Sequence, residues 1–234
     1  MKMMQKSLLA LAVMATTALN VQAASNVDVK VIGRIDPGTC TPTLSGGGVV
    51  DYGTMSPADL NATGYTLLAN HQLDLAINCT APTKVAVVAI NGRPNTAAGV
   101  TEGSGQNAGN APAGTTGGGV VGLGLQGTTK IGGYTLTLDT TSFTADGNSV
   151  ATLNKRTNDP TTGTWTVANG TMWHVGTVKS YNTWGTAGTT TPAAFKDYNG
   201  KMNVRAYLNQ KSAFDLTNTV HLDGLATLEL VYLP

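Results

Sequence analysis

Hydrophobic residues recur at every second position along much of this sequence, and beyond the first two dozen residues no stretch repeats them with a helical period. Successive side chains of a strand point to opposite faces, so this pattern commits the chain to strands with one buried face. The clearest case is His71–Cys79: Leu73, Leu75 and Ile77 share a face that Cys79 closes, while Gln72, Asp74, Ala76 and Asn78 share the other. Lys84–Ile90 follows Pro82 and reads as the second strand of a hairpin across Thr80–Thr83. Further strands are expected at Val49–Gly53, Val120–Gln126, Tyr134–Asp139 and Lys201–Asn209, the last with Met202, Val204, Ala206 and Leu208 on one face. The final one, Ala226–Leu233, places Ala226, Leu228, Leu230 and Tyr232 together. Weaker candidates are Val150–Leu153, Thr164–Val167 and Met172–Val178. Glu occurs only at Glu102 and Glu229, and Thr, Val, Gly and Asn abound, which favours strands and turns over helices. Asn91–Gly119 is dense in small and polar residues and reads as a long surface excursion that contributes little core, and Thr183–Asp197 is also loop-like. An all-β sandwich with long loop insertions is the economical architecture.

The N-terminus reads as a secretory signal over residues 1–23. Lys2 and Lys6 supply a basic start, Leu8–Leu19 is apolar, and Val21-Gln22-Ala23 ends in a small residue suited to cleavage. The apolar run falls short of the roughly 20 residues a membrane span needs, and no later stretch approaches that length, so no membrane span is expected. Losing Lys2 and Lys6 turns the formal charge of +1 into −1, with no basic patch that would suit nucleic acid. An exported chain meets an oxidising compartment, so Cys40 and Cys79 read as one disulfide. Two free thiols or a metal pair are the other readings, although no His or third Cys lies near them in sequence.

Residues 24–36 form an extension ahead of the sandwich, which is expected over residues 37–234. Within it Val27, Val29, Val31, Gly33 and Ile35 share one face of a strand, while Asp28, Lys30 and Arg34 share the other with the apolar Ile32. This strand has no hairpin partner nearby. It must pair within its own sheet or with another molecule.

Signatures of chemistry are sparse. Gly117–Gly122 matches the dinucleotide-binding pattern, but no strand precedes it and no helix follows, so no cofactor is expected. His71, His174 and His221 are scattered, no metal site is expected, and nothing marks two of Asp51, Asp59, Asp74, Asp139 and Asp146 as a catalytic pair. Trp165, Trp173, Tyr181 and Trp184 cluster within twenty residues. They read mainly as core, with a carbohydrate-stacking platform as the sharper alternative. A non-enzymatic role is expected, and a secreted hydrolase has only the scattered Asp and His residues behind it.

Signal, free amphipathic strand, cysteine pair, sandwich and a final strand ending in Tyr together resemble the subunits of chaperone–usher pili of Gram-negative bacteria. The Val27–Ile35 alternation with its lone Gly33 looks like a pilin donor strand. Cys40 and Cys79 match the disulfide joining the first two strands of such subunits. Val50-Asp51-Tyr52-Gly53 looks like the short segment after the first cysteine, and Asn203–Leu208 with Ala226–Tyr232 resembles the closing strands. The likeness covers residues 25–91 and 200–234, and residues 92–199 do not align. Leu233-Pro234 after Tyr232 depart slightly from the family pattern.

The resemblance implies an incomplete immunoglobulin-like sandwich whose open groove takes a strand from a periplasmic chaperone and then from a neighbouring pilin subunit at the outer-membrane usher. It also implies export to the periplasm, a place in a surface fimbria, and a contribution to cell adhesion. Burying four Val or Ile side chains would favour such an exchange by roughly 6–12 kcal/mol gross. A secreted carbohydrate-binding β-sandwich, with residues 27–35 paired internally, is the alternative.

Overall fold

The inward set of the His71–Cys79 alternation is where the core begins: Leu75 is 1% exposed and Ile77 is fully buried. The computed structural model describes residue 30, residues 38–100, 102, 110, 111, 115, 116, 119–173 and 178–234. The chain divides after Asp36 into two units, and the fold below is that of Pro37–Pro234. The sequence-derived strand at Val27–Ile35 lies outside the described residues but for Lys30, as does His174.

The architecture is all-β. Its strands are β1 (Cys40–Leu44), β2 (Thr66–Thr83), β3 (Val85–Asn91), β4 (Asn110–Ala111), β5 (Thr115–Thr116), β6 (Val120–Gly122), β7 (Leu125–Gln126), β8 (Thr129–Lys130), β9 (Gly132–Ala145), β10 (Asn148–Thr157), β11 (Thr166–Val167), β12 (Lys179–Thr186), β13 (Phe195–Leu208) and β14 (Ala226–Tyr232). Among the described residues there are short 3-10 turns but no α-helix, and none that is long and apolar enough to cross a membrane.

One sheet runs β1-β2-β13-β9, with β6 beside β9, and the other runs β10-β12-β3-β14. All the main pairings are antiparallel. The two layers meet at the β9–β10 hairpin, where Asp146 and Gly147 both take positive φ, 49° and 77°. A two-residue turn of this hand matches the twist of its strands, and Asp-Gly adopts it readily. Between the layers lie Leu75, Ile77, Val85, Val87, Leu136, Leu138, Met202 and Trp184.

Several expectations need correction. His71–Cys79 and Lys84–Ile90 do not form a hairpin: β2 pairs with β1 and β13, whereas β3 pairs with β12 and β14. Pairing of β2 continues to Thr83, opposite Phe195, so Lys84 alone connects the strands. One residue is too short for a hairpin turn, and the chain instead switches sheets at a corner of the sandwich. Val49–Gly53 is not a strand but an extended segment held by side chains. Thr183–Asp197 is not all loop, because Thr183–Thr186 finish β12 and Phe195–Asp197 begin β13.

The Asn91–Gly119 excursion supplies more core than its composition promises. Ala97, Ala98 and Val100 are buried against Val120 and Tyr207 in a small cluster of their own. Their small side chains allow a close approach: a Cβ on Gly122 would come within 2.4 Å of the Thr96 backbone. Glu102 organises this turn by accepting hydrogen bonds from Asn91 Nδ2 and from the Asn95 and Ala97 amides, at 2.7–2.8 Å. Met172–Val178 is likewise no continuous strand where described, with only Thr171 bridged to Thr137.

Candidate functional site

β1 and β14 end the strand order, one at the margin of each layer, and among the described residues nothing pairs with their outer edges. The main-chain parity of these edges follows from hydrogen bonds at their ends. Leu233 N–H donates to Lys84 O at 3.0 Å and Gly92 N–H donates to Leu225 O at 2.9 Å. Hydrogen-bonded pairs recur every second residue of an antiparallel ladder. Thr227, Glu229 and Val231 therefore face β3, and the main-chain groups of Ala226, Leu228, Leu230 and Tyr232 turn to the open edge. The side chains of Ala226, Leu228 and Leu230 are half-buried against the core.

The same reasoning orients β1. Thr80 N–H donates to Thr39 O at 2.9 Å, so Thr41 and Thr43 face β2 while Cys40, Pro42 and Leu44 face outward. Pro42, lacking an N–H, thus sits where no ladder bond is lost. Cys40 opposes Cys79 directly, and the two form a disulfide that ties this edge strand to β2. At one end the gap is bridged: Cys40 N–H donates to the Tyr232 hydroxyl at 2.9 Å, with Tyr232 itself 48% exposed.

Beyond that bridge a groove opens. A compartment of about 190 Å³ is lined by Leu44, Val50 and Tyr52 from the β1 side, by Leu222, Ala226 and Leu228 from the β14 side, and by Leu73, Tyr134, Leu136 and Met202. It continues into a larger compartment of about 680 Å³ between residues 50–60 and 214–222, the two sharing Val50, Tyr52 and Leu222.

The Val50–Gly53 segment owes its position to Tyr52. The Tyr52 hydroxyl accepts from Ala206 N–H at 3.1 Å and lies 3.2 Å from Ala69 O. It plugs the register shift of β13 between Arg205 and Tyr207, where the ladder with β2 is interrupted. Burial raises the Tyr52 phenol above its ordinary range. The flanking residues shape the turn, for Gly53 has φ 67° and its N–H donates to Asp51 Oδ1 at 2.7 Å.

The aromatic quartet is not a platform. Trp165, Trp173, Tyr181 and Trp184 are all buried, so none offers the open face that sugar stacking needs. They also serve different places. Trp173 and Trp184 lie in the main core, whereas Trp165 and Tyr181 cover Ala86, Val88 and Leu153 on the outer face of the second sheet.

Of the histidines, His71 lies edge-on to Tyr52 with ring centroids 4.7 Å apart, and His221 lines the larger compartment. Among the described residues no three His, Cys, Asp or Glu side chains converge. Asp51, Asp59 and Asp139 cap local turns instead.

Two features escaped sequence reasoning. One is a polar cluster inside the sandwich, where Asn154 Nδ2 lies 2.9 Å from Ser180 Oγ and from Tyr181 O, and 3.2 Å from Asn182 Oδ1. The other is Tyr134, a groove residue 6% exposed whose hydroxyl has no hydrogen-bond partner among the described residues. Burial, with Glu102 adding to it, pushes that phenol far above its ordinary range. Tyr134 opens the strand expected at Tyr134–Asp139, but no local pattern signals a missing partner.

Residues 29–135 match a family described as a protein of unknown function (DUF1120). The chain is 37% identical to Protein GltF of Escherichia coli (strain K12) over 91 residues, which cover 36% of each chain. It is 35% identical over 72 residues to the uncharacterized protein YhcF of the same organism, covering 31% of this chain and 30% of the relative. The aligned stretches thus span about a third of either relative's length.

Proposed function

We propose that this chain is a structural, non-enzymatic subunit of a surface pilus, completed by a strand from another chain. The observation that carries the reading is the edge of β14: the outward main-chain groups of Ala226 and Leu228 adjoin an apolar groove that receives the same residues' side chains. An extended segment with apolar residues at alternate positions satisfies both at once, through ladder hydrogen bonds and side-chain burial. Val27–Ile35 has that alternation. The signal-like N-terminus and the disulfide fit an exported chain. In this reading a periplasmic chaperone fills the groove first, a neighbouring subunit replaces it at the outer-membrane usher, and the assembled fimbria contributes to adhesion.

Coexpression with a candidate periplasmic chaperone, with and without residues 24–35, tests the proposal. The shortened chain is expected to bind the chaperone yet fail to donate a strand to a second subunit. If removal of those residues abolishes the chain's own folding, strand exchange is the wrong account. Leu228→Asp is the complementary variant. It should fold, because Leu228 is only half-buried, but lose complex formation.

A further inference from the structure

Between β13 and β14 the chain has little regular structure. Beyond a short 3-10 turn at Lys211–Ala213, residues 214–225 form no strand. They are tied down near both ends. Gln126 Nε2 donates to the Asp215 carbonyl at 2.8 Å, and the Asp215 N–H donates back to Gln126 Oε1 at 3.0 Å. Further on, the Asp223 carboxylate accepts from Arg93 Nε and Nη2 at 2.8 and 2.7 Å, and the Asp223 N–H donates to Leu123 O at 3.0 Å. From Leu216 to Leu222 the hydrogen bonds found among the described residues are local, made by Thr217 and Asn218 to Asp215 and to each other. Here Leu216, Val220 and Leu222 border the compartment of about 680 Å³.

The closed position has a cost at Tyr134. Its hydroxyl is enclosed and has no hydrogen-bond partner among the described residues. Gly224 lies against the ring, since an added Cβ would come within 3.0 Å of Tyr134 and 2.9 Å of Leu123. A hydroxyl shut away from water without a partner disfavours closure and regains water on opening. The fastening, by contrast, is superficial: the Arg93 side chain is 34% exposed and that of Asp223 60%. An exposed ion pair holds weakly and is screened by salt.

We propose that residues 214–225 are a strap that opens locally while the rest of the domain stays folded. The Arg93–Asp223 pair is its latch, and the Tyr134 hydroxyl is the group that favours release. Opening lifts Leu222 and Gly224 from the wall they share with Tyr134 and joins the two compartments, so access to this end of the groove rises with ionic strength. No second chain is required. Segments held by few contacts, several of them exposed, are the ones that open at a fraction of the global cost.

Native-state amide hydrogen exchange across low urea concentrations tests this. The Asp223 amide, and the Gly92 amide that donates to Leu225 O, report on the strap, and the amides of β13 report on the core. The strap amides should exchange faster than those of β13 and with little dependence on urea, because a local opening exposes little surface. Arg93→Gln should speed exchange at Asp223 about 3- to 10-fold, the worth of one exposed bidentate pair. Salt at about 1 M should have a similar effect on the unaltered chain and little on Arg93→Gln. Tyr134→Phe should act in the opposite direction, slowing that exchange about tenfold by removing the unmet hydroxyl.

A urea dependence at Asp223 equal to that of β13 would overturn the proposal, since the strap would then open only with the whole domain. Insensitivity of the unaltered chain to salt would overturn the latch without any variant. Unchanged or faster exchange in Tyr134→Phe would overturn the role given to its hydroxyl.

Discussion

Removing the disulfide should cost this domain a large part of its stability. Cys40 and Cys79 are 39 residues apart, and closing a loop of that length stabilises a fold by about 4 kcal/mol in the chain-entropy model. Little else compensates at this edge. Thr41, Pro42 and Thr43 of β1 are exposed, and Leu44 is its one large apolar contact with the core. Domains carry about 5–15 kcal/mol in all, so the loss is a substantial fraction. At about 2–4 °C per kcal/mol for a domain of this size, the unfolding midpoint of a Cys40→Ser, Cys79→Ser double variant should fall by about 8–16 °C. Fluorescence of the fully buried Trp184 would follow the transition. Hydrogen exchange should show residues 40–44 opening before the rest, because β1 would be held mainly by its ladder with β2. A midpoint shift under about 3 °C, with β1 still protected, would refute the reasoning and show that the strand is held by contacts other than the cross-link.

Leu75→Ala should cost about 2–5 kcal/mol in urea unfolding, since Leu75 is 1% exposed at the centre of the sandwich and leaves a cavity. Asn154→Ala should lose about 1–3 kcal/mol by the same measurement, because Ser180 and Asn182 lose their shared buried partner. Stability should also decline in alkali. Burial raises the phenol of Tyr198, whose hydroxyl donates to the Thr83 carbonyl, to about 12, so the folded chain favours its neutral form. The unfolded chain ionises near its ordinary value of about 10. This contribution is therefore fully present below about pH 10 and is lost as pH rises from there to about 12. Denaturant midpoints across that window, compared with those of Tyr198→Phe, would test it; an identical decline in the variant would exclude Tyr198 as a source.

The period-two pattern made the inward faces of β2, β13 and β14 readable, because burial follows from the alternation of the strand itself. Partnership was less readable. β2 and β3 are neighbours in sequence and belong to different sheets, since each strand's energy lies in its pairing with β13 and with β12 and β14. Polarity misled in the same way at β12. Thr183 reads as a loop residue, yet it is buried because the Val85 carbonyl meets its hydroxyl, as Asn154 meets the neighbouring Asn182. The Ala97–Val100 stretch reversed the usual inference from composition, its small side chains being what allows Gly122 and Tyr207 to pack so closely.

The sequence alone therefore determined an all-β chain with two cysteines, the inward residues of β2, β13 and β14, and an alternating N-terminal segment with a single glycine. Those follow from side-chain chemistry and from the geometry of one strand at a time. Only the tertiary structure decided that β1 and β14 lie at the two margins with a groove between them, which main-chain groups of β14 face outward, and that Tyr134 lies in that groove with its hydroxyl unpaired among the described residues. An open edge and an unmet hydrogen bond are properties of what the rest of the chain leaves uncovered, and no local stretch of sequence carries that information.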